Sequence, residues 1–239
     1  MVDTAPERVL ALSLDVTDEQ QIDAAIAAAA ERFGGVDVLV NNAGLASVGA
    51  VEELEGPALR QLMDVMFFAP VALVQAVLPG MRQRRRGAIV QMSSMGGQVS
   101  MPGFGAYCAA KFALEGLSEA LAAEVAPFGI HVMIVEPGAF ATSFGAGRSQ
   151  VSPDSGHYDD TVGPQRRAVD TMDGSQPGDP AKAAAAILEG LDAPEPPLRL
   201  ALGADAVDYI GSVLDARRAE LDEWAQLSRS TARAVTPDS

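Results

Sequence analysis

Three short apolar runs, each closed by a cluster of turn-prone residues and followed by helical spacing, constrain this chain more than any other feature. They are residues 36–40, 88–92 and 131–135, followed by Asn41-Asn42-Ala43-Gly44, Ser93-Ser94-Met95-Gly96-Gly97 and Pro137-Gly138 respectively. Short, almost continuously apolar runs read as strands covered on both faces, and their alternation with helices is the pattern of a parallel sheet flanked by helices. Ligands in such sheets sit beyond the carboxyl ends of the strands. The three clusters are therefore expected to converge on one edge.

The remaining elements fit this frame. Residues 8–14 read as a further buried strand, followed by an alanine-rich helix that starts at Thr17 or Asp18 and ends at Gly34-Gly35. A long helix is predicted over 56–83, where Leu59, Leu62, Met63, Met66, Phe67, Val71, Val74 and Val77 recur at spacings of three and four, with a kink at Pro70. Further helices are predicted at 107–128, 180–192 and 205–227, with a last strand at 198–202. Residues 143–180 are rich in Gly, Ser, Pro and Asp and read as a flexible substrate lid, and residues 228–239 as a frayed tail. The 239 residues form one domain, with no internal repeat.

Charge narrows the partners. With 17 basic against 32 acidic residues the net charge is −15, which argues against nucleic acid and anionic membrane surfaces. The one basic cluster, Arg82 with Arg84-Arg85-Arg86, reads as a solvated turn. A lone cysteine, Cys108, excludes an internal disulfide and fits a reducing, cytoplasmic setting. No apolar run is expected to span a bilayer, and the two histidines, His131 and His157, are too far apart in sequence to suggest a metal site.

The chemistry concentrates on Ser94, Tyr107 and Lys111. Tyr107 and Lys111 are four residues apart in a helical segment, so they project from one face. An ammonium beside a phenol favours the ionised phenol, which would make Tyr107 an acid or base near neutrality. Ser94, at a strand end, is placed to hydrogen-bond the same substrate oxygen. By itself Tyr-x-x-x-Lys is common on amphipathic helices; its neighbours give it meaning.

Together these residues resemble the short-chain dehydrogenase/reductase (SDR) family, a Rossmann-like doubly wound parallel α/β fold. Asn41-Asn42-Ala43-Gly44 resembles its NNAG motif, and Ser94 precedes Tyr107-x-x-x-Lys111 by the family's thirteen residues. Pro137-Gly138-Ala139-Phe140-Ala141-Thr142 resembles its PG motif, and Asp15-Val16 the pair beside the adenine. The wording of 107–129 is similar to the 17β-hydroxysteroid and retinol dehydrogenase branch. The resemblance implies an NAD(P)-dependent oxidoreductase that interconverts an alcohol and a carbonyl compound by hydride transfer. Tyr107 would be its acid or base, Lys111 would tune Tyr107 and hold the nicotinamide ribose, and Ser94 would polarise the substrate. Asp15, Val16, Asn42, Ala43, Gly44, Tyr107, Lys111, Pro137, Gly138, Phe140 and Thr142 would contact NAD or NADP, with the choice between them not readable. It also implies a small apolar substrate against Val99, Met101 and Phe104, and a homo-oligomer built on the two long helices.

Two departures stand out. The family begins with a strand, a Gly-x-x-x-Gly-x-Gly turn, a helix and a second strand, and nothing here matches them; the sheet is expected to lack the family's first two strands, as if N-terminally truncated. The family's mid-helix asparagine is replaced by Met66, whose thioether is a poor hydrogen-bonding group. Two other readings therefore stay open: a scaffold without redox work, acting as a pseudoenzyme or partner subunit, and a cofactor-free acid–base catalyst built on Tyr107 and Lys111.

Overall fold

The structure is a computed structural model and describes residues 7–142, 150–170 and 174–233. Its strands are β1 (Val38–Asn41), β2 (Ser47–Val48), β3 (Gly87–Met92), β4 (Ile130–Pro137), β5 (Gln150–Val151) and β6 (Arg199–Leu202). Its helices are α1 (Glu19–Phe33), α2 (Gly56–Met63), α3 (Ala69–Arg84), α4 (Gly105–Val125), α5 (Gly163–Asp170), α6 (Pro180–Asp192) and α7 (Ala204–Arg229). The main sheet has four parallel strands in the order β1-β3-β4-β6. In register, Asn41 lies beside Gln91, Met92 beside Val135, and Pro137 beside Leu202. The carboxyl ends of the strands thus form one edge, as the sequence pattern requires.

Local chemistry explains the helix limits. Asp18 caps α1 by accepting from the amides of Gln20 and Gln21, and Gly34 ends it at φ 84°. Asp179 caps α6 in the same way. One core lies between α1, α3, α4 and the sheet, where Ile22, Leu39, Val74, Val77, Met81, Ile89 and Leu121 pack together. On the opposite face α6 and β6 bury Val90, Met133 and Val135.

The long helix is not simply kinked at Pro70. Residues Asp64–Phe68 form a π-helical stretch between α2 and α3, and Pro70 opens α3. Proline has no N–H, so the carbonyl four residues earlier loses its α-helical donor, and a wider turn just before the proline accommodates that loss. Gly56–Arg84 is, contrary to expectation, long and apolar enough to cross a membrane by length and composition alone. Leu62, Met66, Leu73, Val74, Val77 and Met81 on it are buried in the protein's own core.

The expected strand at 8–14 does not form. Residues 8–14 are irregular, with Leu10, Leu12 and Leu14 at 40%, 47% and 36% exposure. Strand structure requires a paired neighbour, and β1 is an edge strand that pairs only with β3. Val38 and Val40 on β1 remain about half exposed as well, at 46% and 50%.

The basic cluster is more than a solvated turn. Arg84 donates to the carbonyl of Val36, Arg84 and Arg86 pair with Asp37, and Arg85 donates to the carbonyl of Pro127. These arginines brace the amino-terminal ends of β1 and β4, opposite the candidate site.

Candidate active site

Ser94 leaves β3 in an extended conformation, and its Oγ accepts from the amide of Gly96 at 3.0 Å, closing a tight turn over Met95–Gly97. The same hydroxyl donates to the carbonyl of Pro137 at 3.5 Å and is hydrogen-bonded with the Tyr107 phenol. Ser94 thereby joins the ends of β3 and β4 to the first turns of α4. A Cβ on Gly96 would lie 3.1 Å from Cε1 of Tyr107, so the glycine lets the turn lie against the ring.

Lys111 is buried at 5% exposure, and its Nζ donates to the carbonyl of Met92 at 2.6 Å, just ahead of the Ser93–Ser94 turn. Nζ lies 5.8 Å from the centroid of the Tyr107 ring. Ser94, Tyr107 and Lys111 therefore meet as one unit at the carboxyl edge of the sheet.

The electrostatics run opposite to the expectation of a depressed phenol. Burial raises the Tyr107 pKa to about 12, with the Ser94 hydrogen bond opposing it, and burial lowers that of Lys111 to about 8, with Glu115 opposing it. Loss of solvation penalises phenolate and ammonium alike and here outweighs their mutual attraction. At neutral pH the site thus presents a protonated phenol.

The other expected residues divide. Asn42 and Ala43 are exposed and Gly44 half-buried beyond the end of β1. The Pro137–Ala141 loop is fixed through its backbone: Gly138 N donates to Leu202 O, Ala139 N to the Asp205 carboxylate at 2.8 Å, Ala141 N to Gly178 O, and Gly178 N to Ala139 O. Phe140 packs under this loop beside Met92 and Leu202 rather than standing free, and Thr142 is exposed at its end. Asp15 is occupied locally, accepting from the amide and hydroxyl of Thr17, while Val16 packs on the core around Ile22 and Leu39. Val99 is fully buried against Ala206 and Ile210 of α7, with Met101 packed on the same cluster. Val99 therefore does not serve as an open substrate wall, because α7 covers it. Met66 sits in a buried cluster with Leu62, Ala106 and Ala110, consistent with a filling role.

Sequence reasoning missed three carboxylates. Asp205 holds the loop after β4, and Glu115 and Glu136 lie buried beneath Lys111 and the Ser93–Ser94 turn. Only Glu115 carried a signal, since it repeats the four-residue step from Lys111 along one helix face. The segment expected to be a lid is in part regular: β5 pairs with β2, and Arg166 of α5 bonds Glu53 at 2.7 Å in a largely buried ion pair. Its residues 143–149 and 171–173 lie outside the described residues.

A nicotinamide ribose suits this edge. An ammonium has three donors, and the Met92 carbonyl takes one of those on Lys111, leaving donors for ribose hydroxyls beside Tyr107. Among the described residues no strand and glycine-rich turn precede β1, and the amides at the start of α1 are already capped by Asp18.

The short chain dehydrogenase family model matches residues 2–151. Oxidoreductase BOA17 of Botryotinia fuckeliana (strain B05.10) is 39% identical over 226 residues, covering 95% of this chain and 82% of that protein. Human retinol dehydrogenase 8 is 42% identical over 176 residues, covering 70% of this chain and 56% of that protein. Among solved structures, a short-chain dehydrogenase from Streptomyces avermitilis superposes with a TM-score of 0.90 at 53% identity, covering 97% of this chain and 85% of that one. A short chain dehydrogenase from Burkholderia cenocepacia J2315 in complex with NADP gives a TM-score of 0.67 at 25% identity, covering 90% and 78% respectively.

Proposed function

Because this chain belongs to the short chain dehydrogenase family, we propose that Ser94, Tyr107 and Lys111 are its catalytic residues. The protein is an NAD(P)-dependent oxidoreductase acting on CH–OH groups, with NAD or NADP as cofactor. The observation that carries the residue assignment is the contact of Ser94 with Tyr107 directly above the buried Lys111. When bound, the cofactor supplies or accepts the hydride.

The chain's own residues handle the proton. In the reducing direction the carbonyl oxygen is held by the Ser94 hydroxyl and the Tyr107 phenol. As negative charge develops on that oxygen, the phenol O–H bond breaks and the proton passes to it, giving the alcohol and a phenolate beside the Lys111 ammonium. The protonated state of Tyr107 at neutral pH supports this direction. Oxidation runs the same steps in reverse.

Lys111 and Tyr107 would hold the nicotinamide ribose, Asn42, Ala43 and Gly44 the adjoining face, and Pro137, Gly138, Phe140 and Thr142 the carboxamide side. Asp15 and Val16 would lie toward the adenine, a placement for which the local use of Asp15 offers no support. The substrate is a small apolar alcohol or carbonyl compound admitted beneath a lid formed by 143–180, supported by the likeness to retinol dehydrogenase 8. Exposed Phe68 and Phe112, at 57% and 38%, favour a homo-oligomer through the long helices, and the lone, free Cys108 favours a reducing, cytoplasmic setting.

Purified protein incubated with NADH or NADPH and a panel of steroid ketones, retinal and short polar ketones tests this reading. The expected result is nicotinamide oxidation with the apolar carbonyls and its loss in Tyr107→Phe. Unchanged turnover in that variant would overturn the assignment.

A further inference from the structure

Beneath the site, two carboxylates from different elements meet. Glu115 of α4 and Glu136 of β4 are 3% exposed each. Glu115 Oε1 accepts from Ser93 Oγ at 2.7 Å, and Oε2 accepts from Gln98 Nε2 and from Arg199 Nε at 3.2 Å. Glu136 Oε1 accepts from Gln98 Nε2 at 3.1 Å and forms an ion pair with Arg199, 3.2 Å from its Nε. Arg199 also bonds Glu119 at 2.8 Å, so its single charge is divided among three carboxylates. A Cβ on Gly97 would lie 2.1 Å from Glu115 Oε1 and 2.4 Å from Ser93 Oγ, so this glycine is required for the cluster to close.

Two carboxylates that share one amide donor and one guanidinium in a buried site cannot both ionise cheaply, and a proton on Glu136 relieves the repulsion. The charged groups facing the pair are Lys111 and Glu119 from α4 and Arg199 from β6; the turn after β3 contributes neutral Ser93 and Gln98.

We propose that Glu136 keeps a proton against the Glu115 carboxylate, and that Glu115 is a positioning residue that ties the Ser93–Ser94 turn to α4 and supports the charge on Lys111. Burial and the neighbouring Glu115 raise the Glu136 pKa from 4.5 to about 7, in keeping with a proton kept on Glu136. Glu115 is also the group that opposes the fall in the Lys111 pKa. The catalytic consequence rests on the function proposed for Lys111, but the proton and the charge are measured without cofactor or substrate. Failure here and failure of that function are therefore distinguishable.

The sign is definite. Between pH 4.5 and 7 the folded protein holds a proton that the unfolded chain has released, so this pair lowers stability as pH rises through that window. Denaturant unfolding of the full chain between about pH 5 and 8 should show that decline, and Glu136→Gln should remove most of it and raise the melting temperature at pH 8 by about 3 °C. An identical slope in wild type and variant overturns the proton on Glu136.

The second measurement uses the fact that the chain has only two lysines, Lys111 and Lys182. With 13C-labelled lysine, the Lys111 Cε titration midpoint should fall by about one pH unit in Glu115→Gln and recover in Glu115→Asp, with Lys182 unmoved. A Lys111 midpoint that ignores Glu115→Gln overturns the positioning role. Should that variant not fold, Glu115→Asp against wild type and the Glu136→Gln stability slope still decide the proposal.

Discussion

The two sides of the sheet are built to different standards. From β3 to β6, strands are paired on both sides or capped by helices, and Ile89, Val90, Ile134 and Val135 are completely buried. At the other edge β1 shows one side to solvent, and residues 8–14 lie unpaired with their leucines half exposed. Ser94, Tyr107 and Lys111 stand wholly on the well-built side, while Asn42, Ala43, Asp15 and Val16 belong to the open one. Placement of a proton within fractions of an ångström needs rotamers locked by packing, and only the β3–β4–α4 side supplies that.

Perturbing the well-built side should give the largest effects. Tyr107→Phe should lower kcat by about 10²- to 10⁴-fold while leaving nucleotide binding in place, measured by steady-state kinetics beside a nucleotide titration. Equal loss of binding would mean that the phenol serves the cofactor rather than the proton. Next, Leu114→Ala, beneath Lys111 on α4 and 1% exposed, should cost about 2–5 kcal/mol in denaturant unfolding.

Lys111→Met probes the same side through pH. The folded-state pKa of Lys111 is depressed from 10.5 to about 8, so the unfolded chain binds more protons between those values and wild type gains stability as pH rises through that window. The variant should lack this gain in unfolding measured from pH 8 to 10. Tyr107, raised from 10 to about 12, acts in the opposite sense above pH 10, where stability falls with pH.

Smaller effects are expected from the Arg166–Glu53 ion pair of α5 and from the open edge. Arg166→Ala removes the partner of Glu53, whose carboxyl is pulled down to about 2 chiefly by hydrogen bonds from Ser155. Faster proteolytic cleavage within 150–170 and a several-fold rise in KM should follow. Val40→Thr on β1 should change stability by no more than about 0.5 kcal/mol, because the side chain is already half in water. A cost above about 2 kcal/mol would show that something covers this edge in solution.

Much of the site was legible in the chain because strand ends and helix faces are local consequences of spacing. The runs before Asn41, Ser93 and Pro137 had to be strands of one parallel sheet, and a four-residue step had to put Tyr107 and Lys111 on one face. The π-helical stretch before Pro70 was only half legible: proline announces a lost donor but not how the turn absorbs it. The strand expected at 8–14 failed because apolar content is local whereas pairing is not.

What the sequence alone determined is therefore the sheet's polarity, the edge on which its strand ends converge and the chemical identity of the serine, tyrosine and lysine gathered there. What only the tertiary structure decided is their electrostatic state and their support. The burial that raises Tyr107 and lowers Lys111, and the meeting of Glu115 with Glu136 around Arg199, join residues on α4, β4 and β6. Solvation and through-space repulsion depend on such distant neighbours, so no spacing along the chain encodes them.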